Sequence, residues 1–184
     1  VHLARTCGKR IRSDCAVVLC NLACEPGYSE QLVRQGAVSA FKFLCTAGAV
    51  TMHVCINGFL NLTSATKKHD DNMSEVVDGL IEIATGTAMT SESQLLCIQA
   101  ICNVARVKKA QTKLIEGGTA RFLSRTACNT DCVDTKRVCA EALCFLTSCK
   151  ASRGSITDQR AVPELVTMSQ CDDEFTKQKC ALAI

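Results

Sequence analysis

Tryptophan is absent from this chain, tyrosine occurs once, and aromatic residues together make up 4% of its 184 residues. The core must therefore be built from Leu, Val, Ile, Ala and Cys. The same scarcity disfavours nucleic acid as a ligand, because single-stranded sites stack bases on aromatic rings. Charge is weak as well: 21 Lys and Arg face 18 Asp and Glu, a net +3, too little by itself to mark a polyanion or an anionic membrane as partner. The densest basic stretch is Lys9, Arg10 and Arg12, with Lys67 and Lys68 next, and runs of this size read as solvated faces. No window approaches the roughly 18 uninterrupted apolar residues of a membrane span. No basic–apolar–small leader stands at the start. The chain opens at Val1 and stops in mid-pattern at Ile184, so a fragment of a longer array is expected.

Signatures of catalysis are missing too. There is no Gly-rich phosphate loop, no G-x-S-x-G elbow and no pair of metal-ligand motifs. Histidine occurs three times, at His2, His53 and His69. His53 and Cys55 lie two residues apart, which puts them on different faces of a helix and not in a dyad. The expectation is a protein that is not an enzyme, with no cofactor, no metal and no small-molecule substrate.

What the chain does have is a repeat. From Asp14 to Leu44 it runs through a densely apolar helix ending in Asn21, a Pro26-Gly27 break, a short polar helix, and Gly36-Ala37-Val38 opening another apolar helix. With Asn21 as ruler, Asn61 follows 40 residues on, Asn103 a further 42, and Phe145 another 42. Gly36 lies fifteen residues after Asn21 and Gly118 fifteen after Asn103. A period near 41 falls in the range where each unit is two or three helices. Long helices are expected at about 12–24, 52–65, 91–107 and 134–149, the last unit aligning TKQKCALAI (176–184) with TKRVCAEAL (135–143). Shorter helices are expected at 29–35, 38–45, 76–84, 108–116, 119–127 and 152–159, with Pro163 in the first turn of a further one. The polar stretch 66–74 is expected to be the least ordered. The units are read as approximately 1–25, 26–65, 66–107, 108–149 and 150–184, the first and last incomplete.

The endings CNLA (20–23), LNLT (60–63) and CNVA (102–105), with the openings QGAVSA (35–40) and RAVPEL (160–165), resemble the armadillo repeat over nearly the whole chain. The resemblance implies an all-α fold, a right-handed α-α superhelix of armadillo type with about four repeats. It also implies a role in binding other proteins, because third helices of stacked units line one concave side. On that side the family's Asn grips the backbone of an extended peptide, one amide both donating and accepting. Carried onto this sequence, that gives Asn21, Asn61 and Asn103, with Phe145 in the ladder position of the fourth unit. One turn earlier on each long helix stand Val17, Asn57, Gln99 and Glu141. The peptide- or partner-binding set is thus Asn21, Asn57, Asn61, Gln99, Asn103, Glu141 and Phe145. A late-helix Asn can instead tether a neighbouring carbonyl. Importin-alpha proteins place Trp one turn before the Asn, so the lack of Trp disfavours a receptor for basic import signals.

Fifteen cysteines invite a disulfide or zinc reading, but their spacing follows the repeat. Cys15, Cys55, Cys97, Cys139 and Cys180 form one column, and Cys20, Cys102 and Cys144 another. Equivalent positions on stacked helices lie about 10 Å apart, beyond the ~7 Å Cα separation a disulfide tolerates. They read as small apolar filler, kept reduced in a cytoplasmic or nuclear setting. Only Cys128 and Cys132, with Cys171 from the next unit, have any character of a metal site. The expected function is a scaffold or adaptor holding a protein or peptide ligand in the groove. The alternatives are an architectural array of ciliary or cytoskeletal type, or a redox sensor using Cys128, Cys132 or Cys149.

Overall fold

The computed structural model describes residues 8–25, 27–65, 73–86, 88–149, 154 and 161–184. Among them are eleven α-helices and no strand. Contacts divide the chain into two compact units, Val1–Ala100 and Ile101–Ile184.

The first unit contains α1 (Lys9–Ala23), α2 (Ser29–Arg34), α3 (Ala37–Leu44), a 3-10 turn (Cys45–Ala47), α4 (Ala49–Ala65), α5 (Met73–Gly86) and the greater part of α6 (Ser91–Ala105). Two glycines set the corners around α3. Gly36 ends α2 and precedes α3 at φ 82°, and Gly48 separates the 3-10 turn from α4 at φ 141°. L side chains avoid both conformations. The helix α4 starts three residues before the expected Met52, because the Met52 N–H already closes onto the Gly48 carbonyl at 2.9 Å. Likewise α1 begins at Lys9 and not Arg12, and α5 at Met73 and not Val76. The eroded loop expected at 66–74 lies outside the described residues apart from Met73 and Ser74, which are helical.

The core of this unit is an interlock of rings and glycines. Phe41 on α3 and Phe59 on α4 are fully buried, their centroids 5.6 Å apart at 46°. A Cβ on Gly58 of α4 would lie 2.4 Å from the Phe41 ring, and one on Gly79 of α5 would lie 2.9 Å from both Phe59 and Val38. Each ring thus occupies the space a side chain would need. Ile56, Leu62, Val76, Val77 and Leu80 complete the apolar layer. Burying each large side chain stabilises the fold by about 1.5–3 kcal/mol. At the rim, Lys42 pairs with Glu82, and the Arg12 guanidinium lies 4.7 Å over the Phe43 ring.

The second unit takes in the end of α6, then α7 (Lys108–Glu116), α8 (Thr119–Cys128), α9 (Val133–Thr147), α10 (Ala161–Met168) and α11 (Glu174–Ala183). Gly118, at φ 79°, plays here the part Gly36 plays in the first unit. Leu114 and Ile115 are fully buried, as their spacing on a short helix predicts. The Gln111 amide donates to the Ala105 carbonyl at 2.8 Å and so satisfies the end of α6. Against α9 pack α8 and α11, while α10 packs on α8 and α11. Leu123, Leu143, Leu146 and Leu165 fill the space between, and the Ser124 hydroxyl donates to the Glu164 carboxylate. Pro163 stands in the first turn of α10, where its missing N–H costs nothing. The helix expected over 152–159 lies outside the described residues apart from Gly154, which is helical.

Candidate functional site

In the first unit, α1 carries Val17 and Asn21, α4 carries Asn57 and Asn61, and the early part of α6 carries Gln99. Asn57 and Asn61 are one helical turn apart, so their amides share a face. Both are half-buried, as is Gln99, while Asn21 and Val17 are exposed. The Asn61 amide reaches back to α1, its nitrogen 3.4 Å from the Cys20 carbonyl, 3.6 Å from the Cys20 sulfur and 2.9 Å from the Cys24 sulfur. The Asn57 nitrogen lies 3.6 Å from the Cys20 sulfur. The ladder amides of α4 thus spend their donors on the neighbouring helix, the tethering role a late-helix Asn can play. Their carbonyl oxygens take no hydrogen bond among the described residues. Burial pushes the Cys20 thiol up, the charge of Cys24 adds to this, and the two Asn donors oppose it. Val54, one turn before Asn57, and Leu96, one turn before Gln99, are half-buried.

In the second unit, Asn103 sits half-buried near the end of α6, and Glu141 and Phe145 lie one turn apart on α9. The residue that joins the α9 pair is Arg106, which the sequence reading did not select. Its Nη2 donates to Glu141 Oε1 at 3.0 Å, and its guanidinium lies 5.6 Å over the Phe145 ring. Glu141 also engages the buried Cys102 thiol, pushed up to about 12 by burial first and by the Glu141 charge next. A signal for Arg106 existed. Three residues after the ruler positions stand Cys24, Ser64, Arg106 and Ser148, a column with one charge in it.

A second unforeseen pair secures α11. Both Arg137 Nη2 and Nε donate to Asp173 Oδ1, at 2.7 and 3.0 Å. Asp173 Oδ2 accepts the Thr176 N–H at 2.9 Å and its hydroxyl at 2.7 Å, an N-cap for the helix. The Arg137 guanidinium, with Thr176, holds the Asp173 carboxyl well below the usual carboxylate range.

The column cysteines Cys55, Cys97, Cys139 and Cys180 are fully buried and Cys15 is half-buried. Every described cysteine is a free thiol. Burial pushes Cys97 up to about 12 and Cys180 to about 11, and raises Cys139 as well. Cys55 is raised further by its hydrogen bond with Cys45. Of the metal candidates, Cys128 and Cys171 line one cleft with Lys136 and Met168, and Cys132 does not. Among the described residues no group of three or more His, Cys, Asp or Glu is arranged to hold a metal ion. Of the thiols suggested for sensing, Cys128 is raised by burial and Glu164, while exposed Cys132 is lowered by the Thr135 hydroxyl and amide. Cys149 is half-buried. No described helix is long and apolar enough to cross a membrane.

No protein-family profile matches the sequence, and no curated protein matches it. Solved structures do. One is a set of computationally designed armadillo repeat proteins for modular peptide recognition, at TM-score 0.82 and 15% identity, covering 100% of this chain and 78% of that one. Another is a designed armadillo repeat protein in complex with the peptide (KR)4, at TM-score 0.74 and 16% identity, covering 91% and 72%. A crystal structure of an engineered protein matches at TM-score 0.77 and 19% identity, covering 99% and 75%. At these identities the likeness is one of fold: an all-α solenoid of armadillo type.

Proposed function

We propose that this chain is a non-enzymatic binding scaffold that holds an extended peptide or partner helix along its long helices. The proposed contacts are Asn21, Asn57, Asn61, Gln99 and Asn103, with Glu141 and Phe145 on α9. One observation supports this above the others: on α4 the Asn57 and Asn61 amides lie one turn apart, half-buried, with donors committed to α1 and neither carbonyl oxygen hydrogen-bonded among the described residues. An acceptor fixed in place by its own donor suits the N–H groups of an extended chain, which recur whatever the side chains are. The likeness to designed proteins made for peptide recognition agrees with it.

The test is a pull-down from lysate with the chain and with its Asn61→Ala/Asn103→Ala variant, alongside thermal melting of both. The partner captured by the parent should be lost by the variant. The melting temperature should fall by only a few degrees, since each lost hydrogen bond costs about 1 kcal/mol. A partner held equally by both would move binding off this face and make an architectural array the better reading. A collapse in melting temperature would show these Asn to be structural.

A further inference from the structure

Three positions of the second unit depart together from the neutral pattern of the first. Phe145 stands where Asn21 and Asn61 stand, Glu141 where Asn57 stands, and Arg106 where Cys24 and Ser64 stand. In space the three substitutions meet as one object. The Arg106 guanidinium is tied to Glu141 at 3.0 Å and laid over the Phe145 ring at 5.6 Å, with 53% of its side chain exposed. The Glu141 side chain is 25% exposed and also engages Cys102, so its carboxylate is turned to the protein.

A guanidinium has five N–H donors in a planar fork, and Arg106 spends one of them among the described residues. Ring and carboxylate fix the plane of that fork before any ligand arrives, so little side-chain freedom is left to lose on binding. The shape it offers is that of bidentate carboxylate recognition. A basic ligand would meet the Arg106 charge and would have to take Glu141 from it.

We propose that Arg106 is a specificity-determining residue that receives a side-chain carboxylate of an acidic peptide, with Glu141 and Phe145 holding the guanidinium in position. The proposal rests on the peptide-binding reading above. It is tested on the whole chain with three capped octapeptides, alternating Ser-Glu, Ser-Gln and Ser-Lys. Affinity is read by fluorescence anisotropy and the site by NMR shifts of Arg106 Nε–H and the Asn57 and Asn61 side-chain amides.

The Glu peptide should bind about tenfold more tightly than the Gln peptide, the scale of one charge-assisted pair, and shift Arg106 Nε–H. Arg106→Gln should remove that preference, with the melting temperature lowered by no more than a few degrees for the loss of the half-exposed pair with Glu141. Arg106→Lys, which keeps the charge and loses the fork, should restore only part of it, and high salt should weaken it. A preference for the Lys peptide that Glu141→Gln abolishes would overturn the proposal, as would a Glu preference that survives Arg106→Gln. Equal binding of all three with shifts at Asn57 and Asn61 would leave the peptide-binding reading standing and the Arg106 assignment refuted. Binding of none would sink both.

Discussion

A single methyl group separates Gly58 from alanine, and the Phe41 ring occupies the place where it would go. The contact of 2.4 Å is to the far edge of a ring that is itself fully buried against Phe59, so relief requires the α3–α4 packing to shift. Overfilling of a packed core costs about 1–3 kcal/mol. Gly58→Ala should therefore lower the unfolding free energy measured in urea by that amount, despite alanine's better helix propensity. A variant as stable as the parent would show that the ring moves freely. This glycine was not legible in the sequence, whereas Gly36 and Gly118 were. Those two sit at a fixed offset from the ruler residues and end short helices, where a positive φ is required. A mid-helix glycine says nothing about which ring lies opposite. Arg106 escaped for a related reason: its role depends on α9 bringing Glu141 and Phe145 to it, a contact 35 residues away in the chain.

Among the elements, α11 shows how one carboxylate can serve two neighbours. Asp173 caps its N-terminus through Thr176 and anchors it to α9 through Arg137. The folded protein holds this carboxyl below its unfolded value, so its contribution is fully present above the ordinary carboxylate range and is lost as pH falls through the lower, folded value. Asp173→Asn should melt at a lower temperature than the parent at neutral pH. The gap should narrow once pH drops below about 4, where the unfolded parent's carboxyl takes up its proton. A gap constant with pH would show the effect to be one of shape. Helix boundaries were the least legible part of the sequence at this scale. The glycine at Gly48 reads as a break, but a break fixes only where one helix ends, and α4 resumes at the next residue.

For the molecule as a whole, the cysteine columns decide behaviour toward base. Buried thiols whose folded values lie above the unfolded one favour the fold below about pH 8.5, and that preference is lost progressively as pH rises toward the folded values. With Cys97 at about 12, Cys180 at about 11 and Cys139 raised too, stability should fall steeply between pH 9 and 11. The limiting slope is about 1.4 kcal/mol per pH unit for each such thiol. Urea denaturation across that range measures it; a flat profile would mean the thiols ionise without unfolding. The architecture itself was legible, because motifs such as CNLA and QGAVSA recur at a period no compact domain would keep. The chemistry of the proposed binding face was legible only as a column of amides.

Because each unit holds its own sealed sulfurs, Cys55 and Cys97 in one and Cys139 and Cys180 in the other, the protein carries two internal clocks. A thiol reached by an alkylating or oxidising agent only when its unit opens turns those openings into irreversible chemical events. Where reclosing outpaces the reagent, the modification rate measures the time each half spends open; where the reagent outpaces reclosing, it measures how often that half opens. Comparing the modification rates of Cys97 and Cys139 would tell whether the halves open together or alone.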